Sequence, residues 1–164
     1  MDRTLGAKNV VLLGIGHTHA HLIKQWAMDP IPNINLIGVT DHGIATYSGM
    51  LPGVLAGDYS PDQMEIDLVQ LLSAARVPWI QDALIHVDRK AKRLTFDSGR
   101  RLRYDLLSVG VGSRPAELPN IARQDGQPSL PFVSIKPMQT FLQRLEDGIL
   151  AAARRVTGQS DPSV

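Results

Sequence analysis

Two glycines and two histidines share six consecutive positions near the start of the chain, Gly14-Ile15-Gly16-His17-Thr18-His19, and His21 follows two residues later. Two chemistries suit such a cluster. The first is anion binding: one glycine permits a tight turn, the next lets a diphosphate approach the backbone, and a helix starting there offers free N–H groups and a positive dipole end. The second is metal binding, because His17, His19 and His21 spell H-x-H-x-H directly after an apolar run, and alternate histidines are common metal ligands.

Either chemistry needs the cluster to sit between a strand and a helix. Asn9 to Leu13 is a short aliphatic run without alternation, the pattern of a buried parallel strand. Ala20, Leu22, Ile23, Trp26 and Ala27 recur at three to four residues and predict a helix over 18–28, stopped by Pro30 and Pro32. Asn35 to Thr40 reads as a second strand, so the first 41 residues spell a βαβ unit. Asp41 lies 27 residues after Gly14, where an acid would hold ribose hydroxyls. The alternative is a glycine turn beside an ordinary surface aspartate. His19 stands where the nucleotide-binding pattern has its third glycine, which is expected to loosen the packing of the helix on the strand.

The metal reading has less to build on. Its spacing is similar to that of (β/α)8 metal-dependent hydrolases, but such a barrel needs ~250 residues and further ligands from later strands. The chain has 164 residues, and only His42 and His86 remain. The expectation is no metal site, with these histidines on a first helical turn, one or two exposed and one packed. The sequence contains no GxxxxGK[ST] loop, GxSxG elbow or HExxH pair. Asp58, Asp62, Glu65 and Asp67 lack EF-hand spacing and suit a solvated helix start. No catalytic residue is assigned.

Downstream, Tyr47 to Gly57 is an apolar loop too rich in glycine for helix throughout. Residues 67–76 predict a helix with Asp67 as N-cap, although Ser60-Pro61-Asp62-Gln63 could open it earlier as a capping box. Residues 77–109 read as all-β: a short strand Val77–Ile80, alternating strands Ala83–Val87, Arg93–Phe96 and Arg101–Tyr104 with a hairpin turn at Asp97-Ser98-Gly99, and a buried strand Asp105–Val109. Phe132 to Ile135 is read as a last strand. Met138, Phe141, Leu142, Leu145, Ile149 and Val156 mark one face of a closing helix, 138–156, with Arg154 and Arg155 favourably placed at its end. That helix packs on its own domain or on a partner subunit, so a homo-oligomer stays open. Residues 1–8 are expected to fray, and 157–164 have the composition of a disordered tail.

Composition narrows the classes. Hydrophobic residues at 43 % and charged residues at 20 % describe an ordinary globular chain. The absence of cysteine removes disulfides, thiolate metal sites and CxxC redox pairs. No stretch approaches the ~20 apolar residues of a membrane span and no cleavage site closes the first apolar run, so a cytoplasmic protein is the default. Residues 1–88 carry four Lys/Arg and nine Asp/Glu, whereas 89–164 carry thirteen and seven. The basic excess peaks at Arg89, Lys90, Lys92, Arg93, Arg100, Arg101 and Arg103. A nucleic-acid surface would use Phe96 and Tyr104 as stacking rings. Both fall on inward positions, so the patch is read as a solvated hairpin and no nucleic-acid partner is expected.

Three strings taken together carry a resemblance: Gly14-Ile15-Gly16-His17-Thr18-His19, then Tyr47-Ser48-Gly49-Met50-Leu51-Pro52-Gly53, then Tyr104-Asp105-Leu106-Leu107-Ser108-Val109 with Gly112-Ser113. Over about residues 9–145 the chain resembles the FAD-dependent pyridine nucleotide-disulfide oxidoreductases, in the NADH-dehydrogenase-like branch that also occurs fused before some selenide, water dikinases. The resemblance implies that Gly14, Ile15 and Gly16 cradle the FAD pyrophosphate with His17 and Thr18 at the helix start. It implies Asp41 on the adenosine ribose, the backbone at Leu84 on adenine, and Met50 and Leu51 near the flavin. Val111, Gly112 and Ser113 match the second FAD-contacting turn, often Ala-Thr-Gly in the wider family. The family's redox-active cysteines are missing, as in members that pass electrons directly from flavin to an acceptor.

The expected fold is α/β: a Rossmann-like FAD-binding domain, its parallel sheet flanked by helices, with an antiparallel β-hairpin layer. The expected organisation is a partial FAD-binding domain over 9–156, with the family's second glycine-rich unit, the NAD-binding domain, absent. The expected function is the FAD-binding portion of an NAD(P)H-oxidising flavoprotein, with NAD(P)H as cosubstrate of the whole protein and little turnover by this chain alone. A non-catalytic nucleotide-binding or interaction module of the same fold is the alternative, and the H-x-H metal-dependent hydrolase comes third.

Overall fold

A computed structural model describes residues 6–113 and 133–157. In chain order the elements are β1 (Lys8–Leu13), α1 (His17–Met28), β2 (Ile34–Thr40), β3 (Ile44–Thr46), α2 (Leu51–Ala56), β4 (Glu65–Asp67), α3 (Leu68–Ala74), β5 (Trp79–Gln81), β6 (Leu84–Asp88), β7 (Arg93–Phe96), β8 (Arg101–Arg103), β9 (Leu106–Val109) and α4 (Phe141–Thr157). They fall into two units that divide after Gly112.

The first unit is organised by β1, whose alternate side chains enter different cores. Leu12 joins Ile15, Ile23, Leu36, Leu68 and Leu72 on the face covered by α1 and α3. Val11 and Leu13 join Val39, Leu94 and Phe96 on the opposite face. Burial on both sides explains why β1 reads as continuous aliphatic sequence. β2 and β9 pair with β1 in parallel, and β5 pairs in parallel with β2, giving the order β5-β2-β1-β9. β6, β7 and β8 form an antiparallel sheet against the second face. The base of β9 is tied to β1 by Asn9, whose N–H donates to the Asp105 carboxylate at 2.7 Å and whose carbonyl accepts from the Asp105 N–H at 2.8 Å. The architecture is the expected Rossmann-like α/β sheet with an antiparallel layer.

Local chemistry sets the element ends. α1 stops at Asp29, since a residue before proline avoids helical angles. Asp67 caps α3, accepting from the Gln70 N–H at 2.8 Å. The Ser60–Gln63 box opens a separate 3-10 turn, Pro61–Met64, with the Ser60 N–H donating to Gln63 Oε1 at 2.9 Å. β4 then intervenes before α3, so the two candidate starts belong to different elements. The apolar 47–57 segment contains a 3-10 turn at Ser48–Met50 and the short helix α2, with Pro52 in its first turn.

Three expectations change. Val133 to Ile135, the described part of the expected last strand, forms no strand. β9 is less buried than its aliphatic run suggests: Leu106 is 55 % and Val109 60 % exposed. Among the described residues no strand covers its outer edge, so only Leu107 and Ser108 gain cover. The closing helix begins as a 3-10 turn at Met138–Thr140, and Ile149 on its expected apolar face is exposed. Within this second unit Arg144 ties α4 to the preceding chain, donating to the carbonyls of Ser134 at 2.7 Å and Pro137 at 2.8 Å. The expected frayed start and tail lie outside the described residues, apart from Gly6 to Lys8, of which Lys8 already opens β1, and Thr157, which closes α4. Phe96 is fully buried and Tyr104 packs on the second core, so neither ring of the basic hairpin is free to stack on a base.

Two predictions follow from the backbone and from one carboxylate. Gly14 has φ +73°, and a Cβ there would lie 2.6 Å from the Val111 Cα; Gly112 has φ +74° with no atom within 4 Å of a Cβ. Gly112→Ala should cost about 1–2 kcal/mol, the left-handed penalty alone. Gly14→Ala should cost clearly more in the same urea titration, because the collision is added to that penalty. The second concerns Asp82, which accepts a short hydrogen bond from the Ser98 hydroxyl. That bond holds its pKa below the usual 3.8, and backbone hydrogen bonds and Arg100 act in the same direction. The folded state therefore gains stability above the unfolded pKa and loses it as pH falls through the lowered value. Unfolding measured below about pH 4 should show a steeper acid loss in the wild type than in Asp82→Asn.

Candidate functional site

The strand order reverses direction at β1. The chain leaves β1 towards β2 and β5 and comes back on the other side as β9. At such a switch point the turns after the two neighbouring strands diverge and leave a crevice at the carboxyl edge of the sheet. Here the turns are Gly14-Ile15-Gly16 and Gly110-Val111-Gly112. The Gly14 N–H donates to the Val39 carbonyl at 2.8 Å, and the Gly110 N–H donates to the Leu13 carbonyl at 2.7 Å. A Cβ on Gly14 would also lie 2.8 Å from the Gly110 carbonyl oxygen. The two turns therefore meet backbone to backbone.

The amino end of α1 opens on this place. Its N-cap is Gly16, which has no side chain to accept from the first turn, and that turn contains no acid. The first hydrogen bond of the helix runs from the Ala20 N–H to the Gly16 carbonyl at 2.9 Å. The N–H groups of His17, Thr18 and His19 are left without helical acceptors, at the positive end of a 12-residue helix. Gly16 itself has φ −90° and ψ −169°, extended backbone open to any residue. Among the described residues a Cβ there would find only the Gly110 oxygen, at 3.7 Å. The cradle between the turns is thus bare at Gly16 and at Gly112, and it offers N–H donors without a competing carboxylate. A diphosphate fits that donor set.

The remaining candidates divide by placement. Ile15 is buried at 4 % exposure and packs in the first core, so its side chain anchors the turn and only its backbone faces the cradle. His17 and Thr18 are exposed on the first turn of α1, and Val111 is exposed beside Gly110. Asp41 is exposed just past β2, with a carboxylate oxygen 3.5 Å from His42 Nε2. Leu84 packs its side chain in the second core from β6, an edge strand of the antiparallel sheet. Met50 is half-buried, whereas Leu51 is a buried residue. Ser113 belongs to the second unit, and its turn is divided between the two.

His19 overturns the expectation of loose helix packing. It is 4 % exposed, and both ring nitrogens are engaged: Nδ1 lies 2.5 Å from the Gly14 carbonyl oxygen and Nε2 lies 2.9 Å from Ser108 Oγ. Space for the ring comes from Gly110, where a Cβ would sit 2.7 Å from His19 Cε1. The glycine missing from the helix is replaced by one on β9's turn. The same bonds take the middle histidine out of the H-x-H-x-H set as a metal ligand, because neither nitrogen is left to coordinate. Tyr47 is the residue that sequence reasoning left out of the site. Its ring stacks on His17 with centroids 4.3 Å apart and planes at 17°. The sequence signal was its place at the head of the Tyr-Ser-Gly-Met-Leu-Pro-Gly string.

No protein-family model matches the chain, and no curated protein matches it. Solved structures do. The sulfide:quinone oxidoreductase of Aquifex aeolicus aligns with 92 % of this chain at 19 % identity and a TM-score of 0.61. NDH2 of Plasmodium falciparum, solved with NADH, aligns with 67 % at 15 % identity and a TM-score of 0.55. The NADH:rubredoxin oxidoreductase of Clostridium acetobutylicum aligns with 69 % at 19 % identity and a TM-score of 0.51. Their fold is this chain's fold. At these identities the likeness extends to architecture alone, and the chain spans 33 %, 23 % and 30 % of those three proteins respectively. Among the described residues no helix is long and apolar enough to cross a membrane.

The exchange between His19 and Gly110 predicts coupling. His19→Ala should destabilise by about 2 kcal/mol through lost hydrogen bonds and an emptied space. Gly110→Ala should destabilise by collision with the ring. The double variant should cost at least ~1 kcal/mol less than the sum, within the range for residues in contact. Denaturant titrations of all four proteins measure the coupling.

Proposed function

We propose that the first unit binds FAD as part of an oxidoreductase, with the adenosine diphosphate half seated at the amino end of α1. The observation that carries this reading is Gly16. Its backbone angles do not need glycine, and a Cβ would clash with none of the described residues. An absent side chain that the fold does not require is explained by a ligand that must reach the backbone. The neighbours' shared fold, and the resemblance of the Gly14 and Tyr47 strings, support the same conclusion.

Each residue then has a defined task. The N–H groups of His17, Thr18 and His19 donate to diphosphate oxygens, with the helix dipole favouring the negative charge. Asp41, exposed beyond β2, accepts from ribose hydroxyls. The edge backbone at Leu84 meets adenine, and the turn bearing Met50 approaches the ring system. Val111 and Gly112 supply the second backbone turn. A bound flavin would supply two-electron hydride acceptance and onward transfer to an acceptor. The whole protein, of which these residues form the FAD-binding part, takes the hydride from NAD(P)H. That step needs a nicotinamide held in fixed geometry against the flavin.

Gly16→Asp separates folding from binding. Aspartate is a favoured N-cap, so thermal stability should hold or rise. The same carboxylate occupies the anion's place, so the FAD dissociation constant, measured by quenching of flavin fluorescence, should rise at least ~10-fold. Equal FAD binding by wild type and Gly16→Asp would overturn the reading. A wild type that binds ADP but not FAD would favour a nucleotide-binding module without flavin.

A further inference from the structure

Tyr47 lies in a stack of groups that ends on the first residue of α1. One face of its ring meets His17 at 4.3 Å, nearly parallel. His17 in turn meets His21, one helical turn on, edge to face at 4.7 Å and 85°. Tyr47 also lies against Gly49, where a Cβ would be 2.7 Å from both the ring carbon Cζ and the hydroxyl oxygen. The Tyr47 N–H donates to the Met64 carbonyl at 2.7 Å, and the Met50 N–H donates back to the Tyr47 carbonyl at 3.2 Å, which fixes the backbone on both sides of the ring. Both His17 and His21 are exposed on α1. An exposed histidine at the first position of a helix ordinarily samples several rotamers. This one has an aromatic surface on one side and another imidazole at its edge.

We propose that Tyr47 is a positioning residue for the cradle. Its ring holds the His17 imidazole in one orientation at the amino end of α1, and it ties the Ser48–Met50 turn to that same end. The glycine at 49 is the space this arrangement needs, so the Tyr-Ser-Gly order has a physical reason apart from any ligand. The proposal rests on the reading of the cradle as a diphosphate site and adds to it a residue that touches the helix end rather than the phosphate. Side chains that are ordered before the ligand arrives do not lose their rotamer freedom on binding, and the ligand then binds more tightly. Holding one side chain in place in advance in this way corresponds to about a threefold to tenfold change in affinity.

The test uses the full chain with FAD and with ADP as probes, and NMR of the His17 ring protons, assigned with His17→Ala. In the wild type, Tyr47's ring current should move those resonances upfield, and ADP should shift them further. Tyr47→Ala should abolish the upfield shift and raise the FAD dissociation constant about threefold to tenfold. Tyr47→Phe, which keeps the ring, should restore both. If Tyr47→Ala loses its circular-dichroism spectrum, Tyr47→Leu, which fills the space without a planar ring, replaces it. A folded Tyr47→Ala or Tyr47→Leu with wild-type FAD affinity overturns this proposal and leaves the cradle intact. A wild type that binds neither FAD nor ADP overturns both.

Discussion

The first unit depends on one close approach. The turns that follow β1 and β9 meet at Gly14 and Gly110, with no side chain between them. A Cβ on Gly14 would stand 2.6 Å from the Val111 Cα, nearer than two such carbons can come. Because that contact is made, β9 can pair with β1 along its length and the amino end of α1 can lie at the carboxyl edge of the sheet. The place of the α1 donors beside the second turn follows from two backbones touching. Non-covalent packing elsewhere adjusts by rotamer changes, but this contact has no side chain to adjust.

His19 shows how the same constraint is met by an uncommon residue. A third glycine in the helix would have allowed close packing by absence. The histidine achieves it by occupation, with one ring nitrogen at the Gly14 carbonyl and the other at the Ser108 hydroxyl. The side chain thereby joins the turn after β1 to the strand that ends in the second turn. Its burial requires Gly110 to be small, so two positions 91 residues apart act as one unit. The geometry of the cradle is then held by a polar bridge beneath it as well as by the glycines.

Much of this architecture was legible because its signals are local. The aliphatic run of β1, the glycine turn, the α1 periodicity and the Asp97-Ser98-Gly99 turn each state a backbone preference within a few residues. The caps at Asp67 and Ser60 were legible too, but a local pattern could not say that they open different elements separated by β4. What could not be read depends on distant partners. Leu106 and Val109 look like core in sequence, yet they are exposed because cover comes from neighbours and not from a residue's own hydrophobicity. Val133 to Ile135 have strand composition but no strand to pair with among the described residues. The role of His19 was hidden because it is set by Ser108 and Gly110. Tyr47's was hidden because stacking on His17 joins segments 30 residues apart. The placement of Gly14, Gly16 and Asp41 was legible, whereas the openness at Gly16 is set by the distant Gly110 turn.

The outer side of β9 has a consequence for the molecule in solution. Among the described residues its edge amides and carbonyls have no strand partner, and aliphatic side chains flank them. A ladder left open in this way is a template for any extended polypeptide, including another molecule of the same sequence. Two features blunt it: the strand is only four residues long, and the charged Arg103 and Asp105 stand at its base.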